Sequence, residues 1–222
     1  DALAGGGKSA SMMSVLKMLD DAHIQYCCMT ATGKASKRFT EASGRPCSTI
    51  HRRTGNDKTI DAEVIVLDED SLLSIELLGM VIRACTNPNV RFLCLGDLQQ
   101  LINLNLGTPI KDVINSGLIK VCTLTKCFRF GKGGKATVST KCRRGEFYIE
   151  EEDFGKDKVV YGEDKDYTFI KSDGTDEQII ETYLDILKKK KCKPDDIWIL
   201  TPFNIGSKGC YELNNKIQAI IN

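Results

Sequence analysis

The chain has 222 residues, of which 41% are apolar and 27% charged, as is typical of a soluble globular protein with one large or two small domains. Its formal net charge of +1 excludes a nucleic-acid binder that works through bulk positive charge, but it allows a local basic groove. No apolar stretch approaches the roughly 20 residues that a membrane span needs, and no signal-peptide pattern opens the chain. We therefore expect a cytoplasmic protein without membrane partners.

Ten cysteines are distributed along the chain. Cys27 and Cys28 are adjacent, Cys94 lies inside an apolar run, and no C-x-x-C pair occurs. These features argue against a secreted disulfide framework and against a zinc site. We predict reduced thiols that mainly fill the core, in an intracellular reducing compartment.

A glycine-rich segment leads into a helix predicted over residues 8–19. Its members are Gly5, Gly6, Gly7, Lys8 and Ser9. Glycine N–H groups at a helix N-terminus can wrap phosphate oxygens, a lysine can reach the β- and γ-phosphates, and a serine hydroxyl can bind Mg²⁺. Ala2 replaces the first glycine of the full phosphate-loop pattern. The alternative interpretation is a glycine-rich turn without a ligand.

Short apolar strands and amphipathic helices then alternate. We predict strands over 25–29, 64–67, 90–95 and 120–124, and helices over 35–42, 72–84 and 110–115. Nearly continuous apolar strands that alternate with helices indicate an α/β fold, with a parallel sheet covered on both faces.

The glycine-rich stretch 131–135 marks the predicted domain boundary. A second α/β pattern follows it. Helices are predicted over 136–144, 176–190 and from 212 onwards, and strands over 167–171 and 197–200. We therefore divide the chain into a first domain, 1–130, and a second domain, 131–222.

Two acidic residues, Asp68 and Glu69, directly follow the strand predicted over 64–67. A carboxylate at the tip of a neighbouring strand can complete the Mg²⁺ site of a phosphate loop, and a second carboxylate can order the attacking water. This pairing predicts that the chain binds and hydrolyses a nucleoside triphosphate.

Two further polar residues each allow two interpretations. Gln100 follows a buried strand, so it can touch the γ-phosphate or its attacking water, or it can belong to a polar turn. Arg129 lies near the domain boundary, where it can reach a γ-phosphate across a cleft or form a surface ion pair.

A second set of polar residues follows the strand over 25–29. Thr32, Gly33 and Lys34 can contact a phosphate backbone, or they can cap a helix that carries solvated lysines. For His51 the residues alone favour a structural role over a nucleic-acid contact.

The order of these motifs resembles that of the RecD-type DNA helicases of superfamily 1. The matching segments are 5–9, 32–35, 49–52, 68–71, 96–101, 124–129, 143–146, 200–202 and 213–214. The resemblance implies a RecA-like P-loop ATPase core domain, followed by most of a second RecA-like domain that ends before the last helicase motifs.

The resemblance also implies a role for each site residue. Lys8 and Ser9 hold phosphate and Mg²⁺, and Asp68 ligates Mg²⁺ through water. Glu69 polarises the attacking water, while Gln100 and Arg129 sense the γ-phosphate. The implied track for single-stranded DNA consists of Thr32, Gly33, Lys34, Thr49 and His51.

The implied function is that of an ATP-dependent DNA helicase, which moves 5′ to 3′ on single-stranded DNA and unwinds duplex junctions with ATP and Mg²⁺. Two alternatives remain open. One is a P-loop phosphotransferase that acts on a small molecule, and the other is a non-catalytic DNA-binding module that keeps the helicase fold. Turnover of ATP with and without single-stranded DNA separates the three.

Overall fold

A computed structural model describes residues 7–97, 99–101, 103–125 and 133–221. The chain divides into two compact units, one that ends at Lys132 and one that starts at Gly133. Both units contain helices and strands. The sheet of the first unit is parallel, and that of the second unit is antiparallel.

Four parallel strands form the sheet of the first unit, in the order β2-β1-β3-β4. Their bounds are Tyr26–Thr30 for β1, Cys47–Thr49 for β2, Val64–Asp68 for β3 and Arg91–Leu95 for β4. Thr30, at the end of β1, lies beside both Thr49 and Asp68, and Asp68 lies beside Leu95. The carboxyl ends of all four strands therefore meet at one edge, where ligand sites of parallel sheets form.

Helices cover both faces of this sheet. They are α1, Lys8–Asp21; α2, Gly33–Ser43; α3, Ile50–Thr54; α4, Ile75–Ala84; and α5, Pro109–Asn115. Val66 of β3 packs with α1 and α2 on one face, while its neighbours Ile65 and Leu67 pack with the other helices on the opposite face. This alternation confirms the predicted α/β fold with a covered parallel sheet.

In the residues that the structure describes, the second unit consists of three α-helices, an antiparallel strand pair and two short 3-10 helices, Glu151–Asp153 and Pro194–Asp196. The α-helices and strands are α6, Gly134–Arg144; β5, Lys158–Tyr161; β6, Tyr167–Ile170; α7, Asp176–Lys190; and α8, Cys210–Ile221. The helices α7 and α8 share a small core of Ile180, Tyr183, Leu213 and Ile217. The interpretation of this unit as a second RecA-like domain stays a prediction, as does the boundary at residue 130.

Two predicted strands are wrong. Residues 197–200 form no strand, although Ile197 and Ile199 pack against the α7–α8 core while Trp198 and Leu200 are exposed. Residues 120–124 contain only a single bridge position, Leu124. An alternating or apolar pattern makes a strand only where a neighbour supplies the ladder of hydrogen bonds, and the described residues supply none for either segment.

The nine described cysteines are free thiols, three of them exposed. Burial raises the pKa of the Cys28 and Cys94 thiols to about 12, so both stay protonated and behave as small apolar side chains. In the described part of the chain, no helix combines the length and the apolar character that crossing a membrane requires.

Candidate functional site

The helix α1 begins directly after a glycine with positive φ. Gly7 has φ 83°, a conformation that glycine adopts without strain. The first turn of α1 has neither an acidic residue nor a side-chain cap from the described residues. Its N–H groups and the positive end of the helix dipole therefore suit an anion. Gly5 and Gly6, predicted to belong to the same phosphate loop, lie outside the described residues.

Four predicted site residues line one cavity of about 120 Å³. They are Lys8, Ser9, Asp68 and Glu69. Leu95 at the end of β4 and residues of α2 complete the lining. The fold thus brings the N-terminus of α1 next to the carboxyl end of β3, although some sixty residues separate them in sequence.

A larger groove of about 880 Å³ includes residues before and at the start of β1, such as Gln25 and Tyr26. None of the predicted site residues lines it. The smaller cavity is therefore the candidate site on chemical grounds.

Asp68 contributes a largely buried carboxyl to the small cavity. Burial raises the pKa of the Asp68 carboxyl, while the positive charges of Lys8 and Arg38 act in the opposite direction. A serine hydroxyl and a carboxylate are hard oxygen donors of the kind that Mg²⁺ prefers, with water completing its octahedral shell. The donor set of Ser9 and Asp68 therefore fits Mg²⁺.

Glu69 adopts an unusual backbone conformation. Its φ of 56° and ψ of 48° lie in the left-handed region, which is uncommon for residues other than glycine and is often found at functional sites. Its Oε1 lies 3.8 Å from Nη1 of Arg38 on α2, and both residues line the cavity. The carboxylate predicted to order water therefore lies close to Lys8 and Ser9, which are predicted to bind phosphate and Mg²⁺, and also close to a guanidinium.

Asp70 is a third carboxyl at the same edge, and no role was predicted for it from the sequence. It is only 5% exposed, and its Oδ1 accepts no hydrogen bond from the part of the chain that is described. Burial raises its pKa to about 6; nearby Asp68 and Asp97 add to the shift, and Lys8 opposes it. Two sequence features accompany the buried Asp70: it follows two other acids, and a glycine, Gly96, comes directly after β4. The structure explains the glycine, because a Cβ at position 96 would lie 1.5 Å from Asp70 Oδ1.

Gln100 does not line the small cavity. Its Nε2 donates to Oδ2 of Asp97 at 3.3 Å, and its backbone N–H donates to the Asp97 carbonyl at 3.0 Å. Asp97 itself is buried, with 1% exposure. The predicted contact between Gln100 and a γ-phosphate therefore stays a prediction, and Arg129, its predicted counterpart, lies outside the described residues.

The five predicted DNA contacts lie at the same sheet edge, where β1 leads into α2 and β2 leads into α3. Thr32, Gly33 and Lys34 form the start of α2, Thr49 is the last residue of β2, and His51 lies in α3. Both threonines cap helices: Thr32 Oγ1 accepts from the Ala35 N–H at 3.3 Å, and Thr49 Oγ1 accepts from the Arg52 N–H at 3.3 Å. Helix capping, one of the two interpretations of Thr32, is thus present, while the DNA role of the set stays a prediction.

Comparison with protein families gives a match over residues 1–157 to the model described as AAA domain. The match covers well over half of the chain. The chain belongs to the AAA domain family.

Two curated relatives support the narrower resemblance. The ATP-dependent RecD2 DNA helicase of Deinococcus radiodurans is 24% identical over 227 aligned positions, which cover 98% of this chain and 29% of that protein. The RecBCD enzyme subunit RecD of Mycobacterium tuberculosis is 24% identical over 166 positions, which cover 61% of this chain and 29% of that subunit. The matches span under a third of each relative, and the resemblance to RecD-type helicases is confirmed.

Among solved structures, the Pif1 helicase from Candida albicans is similar to this chain with a TM-score of 0.50. The identity is 18%, and the match covers 68% of this chain and 41% of that one. At this identity the likeness concerns the fold alone, and it agrees with the α/β architecture of the first unit.

Proposed function

We propose that this chain forms the ATPase core of a DNA helicase, which hydrolyses ATP with Mg²⁺, moves 5′ to 3′ along single-stranded DNA and unwinds duplex junctions. The observation that carries the proposal is the cavity lined by Lys8, Ser9, Asp68 and Glu69 at the sheet edge where β1 and β2 also end. The 5′ to 3′ direction rests on the motif resemblance alone. DNA and ATP as substrates also fit the predicted intracellular location.

Each cavity residue has a distinct task in hydrolysis. Lys8 and the N–H groups at the start of α1 stabilise negative charge on the β- and γ-phosphates. Ser9 and Asp68 would hold Mg²⁺, which neutralises phosphate charge when bound. Glu69 accepts a proton from the water that attacks the γ-phosphate. Gln100 and Arg129 would report the state of that phosphate.

The DNA track is proposed to run across the ends of β1 and β2 and the starts of α2 and α3. Backbone N–H groups at the starts of α2 and α3, together with Lys34 and His51, can contact phosphates without reading sequence. A Cβ at Gly33 would meet no described atom within 4 Å, so packing does not require glycine there. A glycine in this position is consistent with close approach of a ligand backbone.

The test is ATP turnover with and without single-stranded DNA. A helicase core hydrolyses ATP, and DNA stimulates the rate. A small-molecule phosphotransferase turns over independently of DNA, and a non-catalytic module binds DNA without turnover. Translocation on oligonucleotides with a labelled 5′ or 3′ end then tests the direction.

A pair of α1 variants localises the activity. Lys8→Ala should abolish turnover, because the site loses the charge that faces the phosphates. Lys17→Ala removes the same charge from the same helix, where the lysine forms an exposed 3.7 Å ion pair with Asp21, and should hydrolyse normally. Near-normal turnover by the Lys8 variant would contradict the phosphate-loop assignment.

A further inference from the structure

An ion pair links the helix after β1 to the proposed general base. Arg38 of α2 has its Nη1 3.8 Å from Oε1 of Glu69, and both side chains line the cavity with Lys8 and Ser9. The Arg38 side chain is 65% exposed and that of Glu69 is 34% exposed. The pair therefore lies at the open rim of the site, where either partner can exchange the other for a different charge.

The same helix begins at the proposed DNA track. Lys34 and Arg38 are four residues apart on α2, so their Cβ atoms lie about 5–6 Å apart on one helix face. A phosphate held at the start of α2 is thus within reach of the long Arg38 side chain. A guanidinium binds phosphate through two parallel hydrogen bonds, which is a stronger interaction than an ion pair at 3.8 Å.

The backbone of α2 is fixed, which leaves the Arg38 side chain as the movable part. Phe39 is buried in the core that α1 and α2 share, and the Ser36 hydroxyl donates to the Cys47 carbonyl of β2 at 2.8 Å. A signal from the DNA track to Glu69 therefore does not need movement of the helix. It needs only that Arg38 changes its partner.

We propose that Arg38 is a positioning residue that makes hydrolysis depend on DNA. Without DNA, its guanidinium faces Glu69 and competes with the attacking water for the carboxylate. A DNA phosphate at the start of α2 then draws Arg38 away, and Glu69 becomes free to accept the proton. The proposal rests on the helicase function above and concerns regulation of the same site.

The expected effect is small, because exposed ion pairs typically change an equilibrium by about two- to five-fold. Arg38→Gln in the full-length protein should raise kcat without DNA by about that factor. It should leave kcat at saturating DNA and the KM for ATP unchanged, so that DNA stimulation falls. The salt dependence of single-strand binding should flatten by roughly one counterion, which a purely structural residue would not cause.

Three matched variants sharpen the test. Lys37→Gln removes one charge from the same helix, but Lys37 pairs with Glu41 at 3.9 Å and does not line the cavity, so its DNA-free rate should match the wild type. Arg38→Lys keeps a cation and should restore most of the repression. In a Glu69→Gln background, Arg38→Gln should have no further effect on single-turnover hydrolysis, because the group that it restrains is gone.

The outcomes separate the two proposals. A wild type whose hydrolysis does not respond to DNA overturns the proposed function, and this inference with it. A responsive wild type with unchanged stimulation in Arg38→Gln overturns the inference alone. So does a raised KM for ATP, which would make Arg38 a nucleotide ligand, or an equal fall of both rates, which would make it an activator of Glu69.

Discussion

At the scale of single residues, the carboxyl edge of the sheet concentrates buried acids around one lysine. The charges of Asp68 and Asp97 add to the rise in the Asp70 pKa, while Lys8 acts to lower the pKa of both Asp68 and Asp70. Buried carboxylates without enough positive charge destabilise the fold, and such strain is often tolerated where a ligand supplies the missing charge. The edge is therefore better suited to a nucleotide–metal complex than to the isolated protein.

The first prediction concerns Glu69. Glu69→Gln should keep ATP and Mg²⁺ binding and slow hydrolysis by about two orders of magnitude or more, the usual effect of losing a general base. Nucleotide binding by fluorescence and turnover by phosphate release measure the two separately. Loss of binding with unchanged turnover per bound nucleotide would reverse the roles assigned to Glu69 and Asp68.

The second prediction concerns Asp70, whose pKa is about 6 in the folded chain against an ordinary 3.8. A raised folded-state pKa favours folding below the ordinary value, and this contribution is lost as pH rises through about 6. Asp70→Ala removes this contribution, so the change that it causes in the free energy of unfolding should be more favourable at pH 7.5 than at pH 4.5 by about 2 kcal/mol. Urea unfolding without nucleotide or Mg²⁺ measures both, and an equal effect at the two pH values would contradict the prediction.

The site residues differ in how far the sequence reveals them. Lys8, Ser9, Asp68 and Glu69 belong to short motifs whose chemistry depends on local spacing, so they were predicted from the sequence. The burial of Asp70 depends on β4 and on a glycine 26 positions later in the chain, which no local pattern contains. The burial of Asp70 was therefore not predicted, because it results from packing between residues that are far apart in the sequence.

At the scale of elements, the apolar strands β1, β3 and β4 and the helix α7 were predicted within one or two residues. The strand β2 and the helix α3 were missed, because Ser48 and Thr49 are polar and β2 has only three residues. β2 lies at one edge of the sheet and pairs only with β1. The segments 120–124 and 197–200 were predicted as strands and are not strands. Each has an apolar or alternating pattern, but no ladder of hydrogen bonds with a described neighbour.

The third prediction tests how the ends of β3 and β4 fit together. Gly96→Ala should destabilise the first unit by about 1–3 kcal/mol, because the new Cβ overlaps Asp70 Oδ1. In an Asp70→Ala background the same change should cost almost nothing, and a double-mutant cycle in urea measures this coupling. Gly33→Ala is the control: its Cβ meets nothing within 4 Å, and the free energy of unfolding should not fall. Additive effects of the Gly96 and Asp70 changes would exclude the contact.

At the scale of the whole molecule, the sheet edge arranges two candidate binding surfaces side by side. The ends of β1 and β2 and the starts of α2 and α3 carry the proposed DNA contacts, and the end of β3 with the start of α1 carries the proposed nucleotide contacts. The strand order places β1 between β2 and β3, so α2 begins in one surface and lines the other. If both proposed surfaces bind their ligands, the single helix α2 is enough to connect them. The motifs at the strand ends are what make both surfaces recognisable in the sequence.

The last prediction separates these two surfaces. Lys34→Ala should weaken single-strand binding and flatten its salt dependence by roughly one counterion, because one phosphate loses its cation. Basal ATPase should stay nearly intact, since Lys34 does not line the nucleotide cavity. The control is Lys189→Ala, which removes an exposed charge paired with Asp185 at 2.7 Å in the second unit and should keep the wild-type slope. A salt titration of binding for the three proteins decides the matter. Parallel slopes for wild type and Lys34→Ala would place Lys34 off the DNA track, and a matching loss of basal ATPase would assign it to the nucleotide site instead.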